Sequence, residues 1–201
     1  MLVIIVLSVI FLGAIIGGLL VFRNDRKKQA KQLEEKKNRV IIDPKEAIRE
    51  AINDMRGIDE YLIENADIDV DGREYKVPFI YLSKKGVFVI DGAADEGDIV
   101  GEEYGEYWMI AKNNQEVAKK STLNKLIEVS ARIGNIINHS ENVNPLYIFT
   151  LGDLSRMARQ DKKLKTLKEF KEETPLLPDV LEESDLSWFY SHINKYLYPD
   201  D

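Results

Sequence analysis

The acidic residues between positions 91 and 103 form the densest group of potential metal ligands in the sequence. Asp91, Asp95 and Glu96 lie within a stretch of six residues that begins at the end of an apolar run. Carboxylate oxygens are the ligands that hard divalent cations prefer, so these three residues are candidates for holding such a cation. Runs of acidic residues more commonly form a solvated loop. In that interpretation the segment is a contact surface for a basic partner, formed by Asp95, Glu96, Asp98, Glu102 and Glu103.

Other residues with catalytic or ligating chemistry are sparse. The sequence has no cysteine, which excludes disulfides, thiol nucleophiles and cysteine-ligated zinc. Its two histidines, His139 and His192, have no partners at the spacing of a zinc pair or a catalytic triad. Residues 67–71 match the start of a calcium loop, but Pro78 stands where that loop needs a bidentate glutamate. Because no glycine-rich phosphate-binding motif occurs either, no cofactor is expected apart from a divalent cation at the acidic segment.

The part of the chain after residue 39 is strongly acidic. Residues 40–201 carry 20 basic and 32 acidic side chains, a net charge of −12. This charge repels the phosphates of nucleic acids, so a nucleic acid is not an expected partner. Basic side chains do collect between Arg156 and Lys171, where they could contact phosphate. The acidic residues interspersed among them favour a solvated helix face instead.

The first 22 residues are uncharged and almost entirely apolar. An apolar helix of that length spans about 30 Å, the hydrocarbon thickness of a bilayer, so residues 1–22 are predicted to be a transmembrane helix. A cleaved signal peptide is the alternative. It is disfavoured because no basic residue precedes the apolar run and bulky side chains end it. Gly13 and Gly17 form a G-x-x-x-G pair, which would allow two such helices to pack as a homodimer.

A basic segment follows the apolar run and indicates the orientation of the chain. Residues 23–39 carry eight lysines or arginines against three acidic residues. Positive charge next to a membrane span stays on the cytoplasmic side. We therefore expect a single-pass cell-membrane protein with its N-terminus outside. Residues 23–42 would be a juxtamembrane linker at the surface of the lipid bilayer, and the C-terminal domain would be cytoplasmic.

The remaining sequence alternates helix and strand signals. Asp43 followed by Pro44 is typical of a helix start, and Asp71-Gly72 between alternating residues is typical of a hairpin. A helix, then strands, then a long helix returning to a strand predicts an α/β domain with a mixed central sheet flanked by helices. The predicted helices cover residues 43–57, 117–137, 153–171 and 184–197, and the predicted strands cover 66–77, 78–82, 87–90, 107–110 and 145–150.

The segment Gly86-Val-Phe-Val-Ile90 and the order of elements around it resemble the nuclease-related (NERD) domain, a branch of the restriction-endonuclease-like fold. In that family a Gly-[Val/Ile]-Phe-Val-Ile-Glu strand precedes an acidic segment with tyrosine and tryptophan, a long helix, and an apolar strand ending in Phe-Thr. Residues 101–108, 115–137 and 146–150 match these features. The resemblance implies a restriction-endonuclease-like domain over residues 43–198.

The resemblance also implies where the family's catalytic residues would stand. The family holds a divalent metal with an Asp on one strand and a Glu-x-Lys on the next. These positions fall on Pro78 and on Asp91-Gly92-Ala93, so Asp91 alone keeps a metal-binding side chain. The resemblance therefore implies a catalytically degenerate domain that acts as a protein-interaction or scaffolding module in a membrane complex. The alternative is a metal-dependent nuclease or nucleic-acid-binding protein of the NERD type with a non-standard site.

Overall fold

Residues 43–199 are described by the computed structural model of this chain. The predicted transmembrane helix 1–22, with Gly13 and Gly17, and the predicted linker 23–42 lie outside the described residues. None of the helices within residues 43–199 combines the length and the hydropathy of a membrane span.

The first described helix, α1, covers Pro44–Met55. The side chain of Asp43 accepts a hydrogen bond from the Lys45 backbone N–H at 3.0 Å, and proline occupies the first turn, as the sequence predicts. Both features satisfy or remove backbone donors that lack partners within the helix. Its buried face consists of Ile48, Ala51 and Ile52.

Ten strands follow within the described residues. In chain order they are Tyr61–Val70 (β1), Arg73–Ser83 (β2), Gly86–Ala93 (β3), Gly97–Glu102 (β4), Tyr107–Lys112 (β5), Gln115–Lys120 (β6), Val143–Phe149 (β7), Gly152–Asp153 (β8), Met157–Ala158 (β9) and Leu164–Thr166 (β10). The main sheet has the order β1-β2-β3-β7-β10. Strands β1, β2 and β3 are antiparallel, whereas β7 is parallel to both β3 and β10, so the predicted mixed sheet is confirmed.

Three more α-helices complete the described part of the chain. They are Leu123–Ile137 (α2), Leu167–Glu173 (α3) and Glu183–Leu197 (α4). Short 3₁₀ turns precede β7 at Ser140–Asn142 and follow α3 at Thr174–Leu176. One face of the main sheet packs against the apolar sides of α2 and α4, and the other face packs against α1 and α3.

A second sheet, which the sequence did not predict, has the order β6-β5-β4-β8. Trp108 of β5 is fully buried and joins the two sheets. Its ring centroid lies 5.2 Å from that of Tyr147 and 5.4 Å from that of Phe149, both on β7. This contact places the second sheet next to the C-terminal ends of β3 and β7.

Two predicted helices are wrong in their extent. The helix predicted over residues 117–137 is strand β6 followed by α2, because Asn113 and Asn114 both adopt positive φ and turn the chain back onto β5. The helix predicted over residues 153–171 is confined to α3. The preceding residues form short strands and loops, and the backbone N–H groups of residues 160–164 donate mostly to a side chain from outside the segment.

Candidate functional site

Asp91 lies near the C-terminal end of β3, on the face of the main sheet that packs against α2. It stands beside Tyr147 in the parallel register with β7. One carboxylate oxygen accepts a hydrogen bond from the backbone N–H of Gly92 at 2.7 Å. Burial raises the pKa of Asp91 above its usual value, and the Gly92 N–H with the charges of Lys45 and Lys119 opposes this only in part. Asp91 is thus a carboxylate in an unfavourable environment, which is common at functional sites.

Gly92 brings neighbouring elements close to this carboxylate. A Cβ atom at this position would lie only 2.6 Å from Cδ1 of Ile48 on α1 and would also clash with the backbone of Ile148. No larger side chain fits between β3, β7 and α1 there. The glycine therefore allows α1 to lie directly against the strand segment that carries Asp91.

Lys119 of β6 supplies the positive charge in this region. Its ammonium donates a hydrogen bond to the carboxylate of Asp95 and lies 6.0 Å from the ring centroid of Tyr147. Burial acts to lower the pKa of Lys119, but the hydrogen bond with Asp95 and the nearby Tyr147 outweigh it, so the pKa is raised. The ammonium is thus firmly charged, and Asp91 and Asp95 both interact with it.

Tyr147 is the fourth member of this group. Burial raises the pKa of its hydroxyl, the carboxylates of Asp91 and Asp95 act in the same direction, and Lys119 opposes them. We refer to Asp91, Asp95, Lys119 and Tyr147 as the Lys119 cluster. The sequence points to the two acidic residues of the cluster. It does not point to Lys119, because residues 117–120 have the pattern of a helix, or to Tyr147, which is one apolar-strand residue among several. The alternation of a β-hairpin around Asn113-Asn114 is the signal that would have placed Lys119 opposite Trp108.

The remaining acidic residues of the predicted metal site and contact surface are separate from this cluster. Glu96 forms an ion pair with Lys112 of β5. Asp98 pairs with Arg156 at 3.3 Å, and Glu102 is exposed. Within residues 43–199, no three or more histidine, aspartate or glutamate side chains are grouped so that they could hold a metal ion. The structure thus pairs Asp95 with an ammonium whose charge also acts on Asp91, and it places Glu96 beside a different lysine.

The prediction that Glu103 lies on the contact surface is wrong. Only 1% of Glu103 is exposed. Its two carboxylate oxygens accept hydrogen bonds from four backbone N–H groups, those of Gln160, Asp161, Lys163 and Leu164. A buried carboxylate needs such partners because desolvation without them is costly. Glu103 therefore fixes the loop before β10 and presents no charge to a partner.

Pro78 lies on β2, opposite the part of β3 that carries Asp91. The antiparallel register between β2 and β3 pairs Phe79 with Ile90, and one further residue places Pro78 opposite Asp91. Proline has no backbone N–H, so it cannot extend the ladder of hydrogen bonds at this point. On β1, Asn65 lies opposite Pro78 and adopts a φ of 53°. The strands are therefore irregular beside Asp91.

A cleft of about 240 Å³ adjoins Asp91 on the side of α2. Its polar lining includes Glu74, Lys76 and Lys125, and the ammonium of Lys125 lies 5.9 Å from the ring centroid of Tyr75. Acidic and basic groups thus both line the opening. A small molecule or a segment of another chain would meet both signs of charge there.

The two histidines make local contacts. His139 lies 3.2 Å from the Glu141 carboxylate, and the ring of His192 stacks on that of Trp188 with centroids 3.7 Å apart. The residues considered for calcium binding lie in strands β1 and β2 and their turn, where Asp69 accepts a hydrogen bond from the Gly72 N–H. These contacts give each residue a structural explanation.

Comparison with known proteins adds no assignment. No protein-family model matches the chain, and neither a curated protein nor a solved structure is significantly similar to it.

Proposed function

We propose that this chain is a single-pass membrane protein whose residues 43–198 form a NERD-like, catalytically degenerate domain, displayed in the cytoplasm as a protein-interaction or scaffolding module. The membrane anchor and orientation in this proposal depend on the apolar segment 1–22 and the basic segment that follows it.

The order of elements supports the fold part of the proposal. Helix α1, the antiparallel strands β1 to β3, the crossover helix α2 and the parallel strand β7 occur in this order, with β4 to β6 between β3 and α2. This is the order that the NERD resemblance implies. The segment Gly86-Val-Phe-Val-Ile90 lies in β3, at the centre of the main sheet.

The observation that carries the functional part is the ion pair between Lys119 and Asp95 beside Asp91. Metal-dependent hydrolysis needs carboxylates that are open to a divalent cation and to a water molecule. Here the ammonium of Lys119, bound to Asp95, supplies the positive charge that the cation would otherwise provide. Pro78 opposite Asp91 contributes no ligand. Both features support a site that has lost the family's chemistry.

One observation favours the alternative, a metal-dependent nuclease with a non-standard site. Asp91, Asp95 and Lys119 include two carboxylates and a lysine, the same residue types that the family mechanism uses, and a cleft adjoins Asp91. If the ion pair opened in the presence of a cation, the two carboxylates would be free to bind it. This alternative makes Asp91 indispensable.

The experiment that separates the two functions is a cleavage assay on the purified full-length chain in detergent. Plasmid and single-stranded DNA are incubated with Mg²⁺ or Mn²⁺, with Asp91→Ala as the matched variant. We expect no cleavage above a buffer control. Metal-dependent cleavage that disappears in Asp91→Ala would overturn the proposal. In parallel, solubilisation of the tagged chain in mild detergent should co-purify a stoichiometric partner protein.

A further inference from the structure

The cleft of about 240 Å³ beside α2 combines apolar walls with a carboxylate. Its walls include the buried side chains of Val77 on β2 and of Leu126 and Val129 on α2. Asp91 of β3 lines the same cleft. Because pockets for drug-sized ligands measure about 300–1,000 Å³, this cleft suits a smaller ligand that has both an apolar and a polar part.

The carboxylate of Asp91 is only partly compensated by the rest of the domain. It accepts one hydrogen bond, from the Gly92 N–H at 2.7 Å, and it forms no ion pair within residues 43–199. The nearby ammonium of Lys119 is bonded to Asp95 instead. A carboxylate removed from water needs a counter-ion or several donors. Asp91 therefore offers unused acceptor positions to a ligand in the cleft.

The cleft is also lined by a residue whose hydroxyl has no partner. Thr122 is the N-cap residue of α2, but its side chain makes no capping hydrogen bond. Its Oγ1 atom is buried and has no hydrogen-bond partner in the described part of the chain. The large majority of buried side-chain polar atoms in proteins do have a partner. A ligand with several N–H donors would supply one to Thr122 as well as to Asp91.

The charges around the cleft favour a cation over an anion. Lys76 pairs with Asp67 of β1 at 3.7 Å, and the ammonium of Lys125 lies 5.9 Å from the ring centroid of Tyr75. Both lysines are exposed to solvent, which screens their charges. Asp91 is partly buried, so its negative charge is screened less. An anion in the cleft would meet this charge without a buried cation to balance it.

An organic ammonium fits the cleft better than a metal ion does. Within residues 43–199, no three or more histidine, aspartate or glutamate side chains are grouped so that they could hold a metal. An ammonium needs only hydrogen-bond acceptors, and its three N–H donors suit a carboxylate and a hydroxyl together. The alkyl chain attached to it would remove the apolar walls from water.

We propose that this cleft binds an alkylammonium group, with Asp91 as its counter-ion, Thr122 as a second acceptor and the apolar walls around its alkyl chain. The group is carried by a free primary amine or by the lysine side chain of another protein. This inference goes beyond the proposed function, because it assigns a ligand to the degenerate site and requires only that the domain is folded.

The test is saturation-transfer NMR on the full-length chain in uncharged detergent micelles, with empty micelles as background. Three probes share one alkyl chain: butylammonium, 1-butanol and butyrate. The wild type should bind butylammonium at least about tenfold more tightly than the other two, because only the ammonium forms charge-assisted hydrogen bonds with Asp91. Nα-acetyl-lysine methylamide distinguishes the two sources. Tighter binding than butylammonium identifies a lysine side chain, and weaker binding identifies a free amine.

Two variants and a matched control locate the bound ammonium. Asp91→Asn should weaken the binding of butylammonium about tenfold or more, and Thr122→Val should weaken it about two- to tenfold. Glu128→Gln removes an exposed carboxylate from α2 outside the cleft and should leave the affinity unchanged. Neither cleft variant should lower the melting temperature, because one removes a partly buried charge and the other a hydroxyl without a partner.

Three results would overturn the inference. Equal binding of 1-butanol and butylammonium would show that the cleft recognises only the alkyl chain. Tighter binding of butyrate would show that the start of α2 attracts an anion. Unchanged affinity in a folded Asp91→Asn variant would show that this carboxylate does not face the ligand. The cleavage assay and the co-purification of a partner are independent of these measurements, so each proposal can fail separately.

Discussion

The carboxylate of Glu103, just after β4, accepts the backbone N–H of Leu164 in β10 at 3.1 Å, across 61 positions of the chain. The same side chain accepts three more N–H groups from the residues before Leu164. One buried carboxylate thus organises a loop that would otherwise leave four donors without partners. It joins the end of the second sheet to the edge strand of the main sheet.

Replacing Glu103 by glutamine should destabilise the domain strongly. The glutamine side chain of Glu103→Gln has the same shape as glutamate. Its NH₂ group is a donor, however, and would face two of the four backbone N–H donors. We expect a loss of about 2–4 kcal/mol in the free energy of unfolding, since unsatisfied buried donors cost about 1–3 kcal/mol each. Chemical denaturation of purified residues 40–201 measures this loss. The neighbouring exposed residue supplies the control, Glu102→Gln, which should change stability by less than about 0.5 kcal/mol. Equal effects would contradict the role of Glu103.

The pH dependence of stability should change when Asp91 is replaced by asparagine. Burial raises the pKa of Asp91 above the usual 3.8. Below that value the carboxyl is protonated in both the folded and unfolded states. As the pH rises, the unfolded chain ionises first, so the folded state loses stability. Asp91→Asn keeps an acceptor for the Gly92 N–H and cannot ionise. We therefore expect the variant to gain stability relative to wild type over the pH range above about 4. A difference that stays constant over this range would contradict the raised pKa.

Local signals explain the parts of the fold that sequence analysis predicted. Asp43 and Pro44 mark the start of α1 through capping, and Asp71-Gly72 specifies the first hairpin because both residues adopt positive φ. In strand β7 and in helix α4, the spacing of the apolar residues agrees with the element that each segment forms. In each case the interactions that decide the structure lie within a few residues of one another.

The second sheet and the Lys119 cluster depend on contacts that are distant in sequence. Residues 115–120 contain lysine, glutamate, glutamine and alanine, which are good helix formers, and they lead into a true helix. Pairing with β5 overrides that propensity, and only this pairing sets Lys119 beside Asp95, 24 positions away. Likewise, nothing local reveals that Glu103 is the buried member of an acidic run, because its partners lie about 60 positions further along.

Asn65 should tolerate glycine but not valine. The residue adopts a φ of 53° opposite Pro78, and it shifts the alternation of β1 so that Ile63 and Ala66 both face the core with α2. Asparagine and glycine adopt this left-handed conformation readily, whereas a β-branched side chain does not. We expect Asn65→Val to lose about 1–2 kcal/mol of stability and Asn65→Gly to lose less than half as much. Thermal denaturation measures both. A valine variant as stable as the glycine variant would show that the strand can straighten.

The orientation in the membrane can be tested with a C-terminal fusion. A reporter that is active only in the cytoplasm should work when attached after Asp201, because the lysines and arginines of residues 23–39 hold the adjoining segment inside. Protease added to intact cells should leave the reporter uncut and should cut it after the membrane is permeabilised. Cleavage in intact cells would show that the positive-inside argument fails for this chain.

Removing the Lys119 ammonium should make the stability of the domain depend on a divalent cation. In Lys119→Met the carboxylate of Asp95 loses its ion-pair partner and that of Asp91 loses a nearby positive charge, so both carboxylates are left less compensated. Because Lys119 and Asp95 are about three-quarters buried, we expect a loss of about 1–2 kcal/mol in chelator, less than for a fully buried ion pair. Added Mn²⁺ should restore the melting temperature of this variant, since a ligand that binds only the folded state stabilises it.

The parent supplies the comparison for this last experiment, because its own ammonium already pairs with Asp95 and acts on Asp91. Its melting temperature should therefore change little with Mn²⁺. Lys168→Met is the matched control, since Lys168 pairs with Glu172 at 3.9 Å on the exposed surface of α3. That variant should lose less than about 0.5 kcal/mol and should not respond to Mn²⁺. If parent and Lys119→Met respond alike to the cation, Asp91 and Asp95 do not converge on Lys119. The proposal that an internal lysine replaces a metal at this position would then have to be abandoned.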